Sequence, residues 1–213
     1  MGTDHRALNS MIIPARKVTV PAFRIAKFPV TVWEYHQFLC AHDTLEPPPD
    51  WDDQIQHPSR PVTHVTWHDA QRYCAWSATQ LPTDEQWEFA ARGPGGRIFP
   101  WGSEKQAPDD SRANFNDNVG APSPVGLFPD GETPEGVSDL AGNVWEWIRS
   151  DFSEPDYRQA ASGAHEGGGS ADAEKVVRGG CFVHAAGNLR AAVRLRGQCI
   201  NRIYDLGFRC VRE

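Results

Sequence analysis

"PVTHVTWHDAQRYCAWSATQLPTDEQWEFAARG", Pro61 to Gly93, contains two helix starts of the same construction. Thr66 stands three residues before Asp69, and Thr83 three before Gln86. In such a capping box the hydroxyl accepts from the third helical amide, while the later side chain reaches back to the cap amide. Aromatic and alanine residues follow each cap, and Gly93 suits the left-handed turn that ends a helix. Upstream, Thr31 and Glu34 open "TVWEYHQFLCA" in the same way, with Trp33, Tyr35, Phe38 and Leu39 as an apolar face. Three short helices are therefore expected. Trp33, Trp67, Trp76 and Trp87 on them are read as core.

Outside these helices the regular signal weakens. "KVTVPAFRIAKFPV", residues 17–30, carries β-formers around proline and reads as one or two short strands. "DTLEPPPDWDDQIQHPSRP", between the first two helices, reads as a loop rich in Pro and Asp. After Gly93 the helical pattern stops, and residues 94–144 form a long Gly/Pro/Asn/Asp region containing "FPWGSE", "ANFNDN" and "SDLAGNVWEW". Loops of this length inside a compact domain are usually functional or pinned. Trp145 and Trp147 alternate around Glu146 at strand period and read as core. Residues 155–174 are poor in apolar side chains and rich in Gly, Ser and Ala, the composition of a flexible insertion. "KVVRGG" and "LGFRCVR" are the closing strand candidates.

Composition bounds the function. The chain of 213 residues has room for one domain, and its 19 Gly, 17 Pro and 8 Trp suit many turns pinned by large aromatic anchors. Net charge is −7 with only 21 Lys and Arg, which leaves no footprint for nucleic acid. No apolar run reaches the ~20 residues of a membrane span, and no signal-type apolar stretch is visible, so a cytoplasmic protein is expected. Five cysteines, odd in number and without a CxxC pair, do not read as a disulfide framework or a structural zinc site. Cys181 and His184 are spaced as a possible pair, but a pair alone lacks the further ligands a metal needs.

The order "FPVTVWEYHQFL", "PVTHVTWHDAQRYCAWSATQLPTDEQWEFAARG", "FPWG", "ANFND", "GVSDLAGNVWEW", "VVRGG", "LRAAVR", "LGFRC" resembles the formylglycine-generating enzyme, or sulfatase-modifying factor, family. The resemblance runs from Val18 to Arg212. It implies one α+β domain over residues 1–213 with a C-type-lectin-like fold, in which short helices pack on a small twisted antiparallel sheet with long loops. Members of this fold include copper-dependent oxidases of a sulfatase cysteine, sulfoxide synthases with a further helical domain, and non-catalytic binding proteins. The last group includes the variable proteins of diversity-generating retroelements.

The oxidases hold copper(I) between two cysteines after the RGG segment. The matching positions here are His184 and Leu189, and Cys181 falls where the family usually has Ser. No copper and no oxidase activity are therefore expected; the enzyme alternative is a formylglycine-generating or sulfoxide-synthase-like protein with a non-standard site. "SDLAGNVWEW" matches the family's calcium segment, which would assign Asp139, Gly142, Val144 and Glu146 to a structural Ca²⁺. The other reading is that Glu146 pairs with an interior arginine such as Arg194 or Arg209.

The retroelement proteins vary at positions descended from AAY codons, and a codon ending in a pyrimidine cannot encode Lys, Glu, Gln, Met or Trp. From Arg178 to Leu206 only Gln198 belongs to that set. The candidate variable surface is Phe182, Val183, His184, Leu195, Gly197, Gln198, Cys199, Ile200, Asn201, Ile203, Tyr204 and Asp205, carried on a frame of Gly and Arg. Several are aliphatic or aromatic, and exposed together they would suit a protein ligand.

Overall fold

The computed structural model describes residues 17–152 and 173–213. Most of the expected insertion at 155–174 lies outside the described residues.

All three capping boxes form, each with both of its reciprocal bonds, at Thr31, Thr66 and Thr83. They start α1 (Val32–Cys40), α3 (Trp67–Trp76) and α4 (Asp84–Arg92), and Gly93 ends α4 at φ 58°. A fourth, single-turn helix, α2 (Trp51–Gln54), lies in the Pro/Asp loop that carries no periodic signal. Gln54 holds that turn in place: its amide donates to Pro49 O at 2.9 Å and accepts from Thr63 N–H at 3.0 Å.

The sheet has the order β4-β3-β2-β5, built from β2 (Trp145–Asp151), β3 (Glu174–Arg178), β4 (Leu195–Gln198) and β5 (Leu206–Phe208). The β2–β3 and β3–β4 pairs are antiparallel, but β2 and β5 run parallel, so the sheet is mixed where a wholly antiparallel one was expected. A separate two-stranded ribbon joins β1 (Arg24–Ile25) to β6 (Val211–Arg212). Successive strand residues face opposite sides. Trp147 and Val177 join the core under α1 and α3, while Ile148 and Val176 join the core under α4.

Tyr35 stacks on Tyr73 with centroids 5.8 Å apart, and both meet Phe208 edge-on. Trp67 and Trp87 are buried as expected. Trp33 and Trp76 are not: they are 57% and 42% exposed. On α1 the buried residues are Val32, Tyr35 and Phe38, and Trp33, one residue out of that spacing, points away from them. Residues 94–144 contain a single 3₁₀ turn, Pro129–Gly131, and are otherwise irregular. Among the described residues no helix is long and apolar enough to cross a membrane.

Candidate functional site

The C-terminal segment is held by a frame of buried charge. Arg178, at the end of β3, is fully buried between Asp84 (2.6 Å) and Glu88 (2.8 Å) of α4, and donates to the carbonyls of Ala191 and Val193. Arg194 adds a second cation to Asp84 at 2.8 Å. Gly179 and Gly180 follow at φ +102° and +79°, a conformation that side chains resist. The chain thereby turns inward and delivers Cys181 to a fully buried position. Phe182 N–H then bonds Asn143 O, and the carbonyls of Phe182 and His184 accept from Asp117 and Asn116.

At the end of this turn three donor groups converge. Cys181 Sγ lies 3.0 Å from His184 Nδ1 and 3.0 Å from Asp205 Oδ2, although Asp205 is 24 residues away in sequence. Trp145 Nε1–H donates to the same Nδ1 at 3.0 Å. An indole N–H can only donate, so Nδ1 carries the lone pair and a neutral His184 keeps its proton on Nε2. Burial pushes the Cys181 thiol well above its ordinary value, and the hydrogen bond and charge of Asp205 push it further. This is the reverse of an activated nucleophile, where a neighbouring cation or base lowers the thiol. The carboxylate here sits on the thiol and does not orient the imidazole, so no nucleophile–base–orienter relay is assembled.

Leu189, matched to the second oxidase cysteine, is fully buried among Phe99, Ala113, Phe115 and Ala141. The two family positions thus present an imidazole and an alkyl group.

The two carboxylates of the expected calcium set are already engaged. Glu146 is wholly buried and receives Arg209 Nε and Nη2 at 2.7–3.0 Å, with Trp87 Nε1 on Oε2 at 2.7 Å. Asp139 accepts from Gly126 N–H at 2.7 Å, and burial, with that bond partly offsetting it, raises its carboxyl to about 6. A carboxylate already neutralised by an arginine, and one already taken by a backbone amide, do not make a cage for Ca²⁺. The donors as arranged do not fit that ion, and the pairing of Glu146 with Arg209 accounts for them.

The candidate variable residues divide by exposure. Gln198, Ile200 (65%) and Tyr204 (49%) are exposed, and Val183, His184, Leu195, Asn201 and Ile203 are partly covered. Phe182, Gly197, Cys199 and Asp205 are buried, so the expected single exposed face is smaller than its sequence span. A Cβ on Gly197 would lie 2.6 Å from the Trp147 ring. Phe182 packs edge-on to Tyr204 at 5.9 Å. These two rings help line a cleft of about 230 Å³, together with Asp50, Asp53, His57 and His64. None of these four was singled out as a binding residue from sequence; they lie in irregular chain or on a single-turn helix.

The family model of the sulfatase-modifying factor enzyme 1-like domain matches residues 1–213. The chain belongs to the sulfatase-modifying factor family. Within it, this sulfatase-modifying-factor domain is 33% identical over 234 residues to a hercynine oxygenase of Mycolicibacterium thermoresistibile, covering 92% of this chain and 52% of that protein. It is 32% identical over 269 residues to the inactive Cα-formylglycine-generating enzyme 2 of Mus musculus, covering 99% of this chain and 81% of that one. The chain spans about half the length of several such relatives. In structure it is similar to PvdO from Pseudomonas aeruginosa (TM-score 0.74, 23% identity, 96% of this chain and 90% of that one). It is also similar to Treponema denticola variable protein 1 (TM-score 0.70, 20% identity, 99% and 90%). At those identities the likeness is one of fold, which is the formylglycine-generating, C-type-lectin-like type that the motif order implies.

Proposed function

We propose that this domain is a non-catalytic binding module. Its C-terminal segment would display side chains to a protein ligand, as in the variable proteins of diversity-generating retroelements. The observation that carries this reading is the layering of residues 178–205. Arg178 and Arg194 are buried in ion pairs, while Ile200 and Tyr204 project from the same segment. Large apolar side chains held outward on a rigid frame suit the anchors of a protein interface. The cleft lined by Phe182 and Tyr204, and by acidic and imidazole groups, gives that surface shape and polarity. Catalysis of the oxidase type has no support in the donor set, because the one thiol at the site is buried and held protonated.

The test is to incubate the purified chain with copper(I), oxygen and a sulfatase-type cysteine peptide, and to follow the peptide by mass spectrometry. The expected result is no conversion; formylglycine in the product would overturn the reading. The display itself is checked in the genome. A near-copy of the DNA for residues 181–205 beside a reverse transcriptase, differing mainly at adenines, is expected. An absence of any such copy would reduce the segment to a fixed binding surface.

A further inference from the structure

Cys181, His184 and Asp205 place one sulfur, one nitrogen and one carboxylate oxygen within 4.8 Å of one another. Between them runs a single exchangeable proton, that of the thiol, facing two acceptors at 3.0 Å each. Nδ1 has no proton of its own to offer, because Trp145 N–H already points at it. Apart from the indole N–H of Trp145, a single proton serves three Lewis bases. A divalent cation replacing that proton would meet a thiolate and a carboxylate, whose two negative charges balance it. Such a mixed S/N/O set suits a borderline metal ion and is unsuited to Ca²⁺ or Mg²⁺, which take oxygen ligands.

We propose that Cys181, His184 and Asp205 form a three-ligand site for Zn²⁺ or a similar divalent transition metal, with water in the fourth position. Metal–ligand bonds of about 2.0–2.3 Å in tetrahedral geometry separate donor atoms by roughly 3.5 Å. The sulfur therefore needs to part from each of its two neighbours by about half an ångström. His184 is partly exposed, and a swing of its ring requires Trp145 N–H to give up its bond to Nδ1. Binding releases the thiol proton. The site is distinct from the oxidase arrangement, since it uses Cys181 in place of a residue at position 189, where Leu189 is buried.

The experiment is titration of the tag-free, metal-stripped full chain with Co²⁺, followed by displacement with Zn²⁺. The expected result is one equivalent of cobalt with a thiolate-to-cobalt charge-transfer band and tetrahedral d–d absorption, both abolished by equimolar Zn²⁺. His184→Ala and Asp205→Asn should each weaken cobalt binding at least tenfold, and Cys181→Ser should remove the charge-transfer band, all with unchanged far-UV circular dichroism. The rival thiolate source is the buried pair Cys74 and Cys210, whose sulfurs are 3.6 Å apart. A band that survives Cys181→Ser and vanishes in Cys74→Ala would overturn the proposal. So would the absence of any band in the wild-type chain at millimolar cobalt. If Cys181→Ser fails to fold, the His184→Ala variant decides, since its side chain is partly exposed.

Discussion

Gly197 combines two demands that a sequence cannot separate. It lies in β4 opposite Lys175, and its missing Cβ leaves room for the Trp147 ring. Gly197→Ala is expected to destabilise the fold by about 1–3 kcal/mol through overpacking, read as a lower urea midpoint at constant m-value. If the segment varies, position 197 is therefore one where variation is restricted. Thiol accessibility offers a second check at this scale. Cys40 is exposed while Cys74, Cys181, Cys199 and Cys210 are buried. Native protein should show one fast equivalent with a chromogenic disulfide reagent, lost in Cys40→Ser, with the other four appearing on denaturation.

At the level of single elements, the helices rest on their caps. Thr83→Ala removes the hydroxyl that accepts from Gln86 N–H at 3.1 Å, leaving an orphan donor in the first turn of α4. A loss of about 1 kcal/mol in unfolding free energy is expected, checked by chemical denaturation. These helices were legible because a capping box is a local device: four residues contain the whole instruction. The single turn α2 was not, because its support comes from Gln54 reaching Thr63 across the loop. Nor was the parallel β2–β5 pair, whose partners are set by packing around Phe208 and not by any alternation within Leu206–Phe208. The motif order identified the fold as a whole, but the exposure of Trp33 could not be read from aromatic character alone, since α1 offers only one stripe to the core.

For the whole molecule, the separation of frame from display has an energetic counterpart. Ile200→Ser and Tyr204→Ser, both at exposed positions, should change stability by no more than about 0.5–1 kcal/mol, while weakening any ligand that uses this surface. Thermal denaturation of the two variants checks the first half of that statement. The site itself was half legible. Cys181 and His184 are three residues apart and could be seen as a pair, but Asp205 joins them only through the fold. Asp205 leads into β5, and β5 lies beside β2, which carries Trp145.

Arg209 illustrates how this molecule distributes its rigidity. Its guanidinium donates to the carbonyls of Ala26, Lys27, Ser138 and Asp139 as well as to Glu146. One side chain thus ties the N-terminal segment, the irregular loop and the central strand into a single opening unit. The amides of Ser138, Gly142 and Asn143, all bonded to distant carbonyls, should exchange with deuterium as slowly as those of β2, through global unfolding alone. In Arg209→Met the loop should exchange first by local opening, so that a stretch without helix or strand has its protection set by one cation.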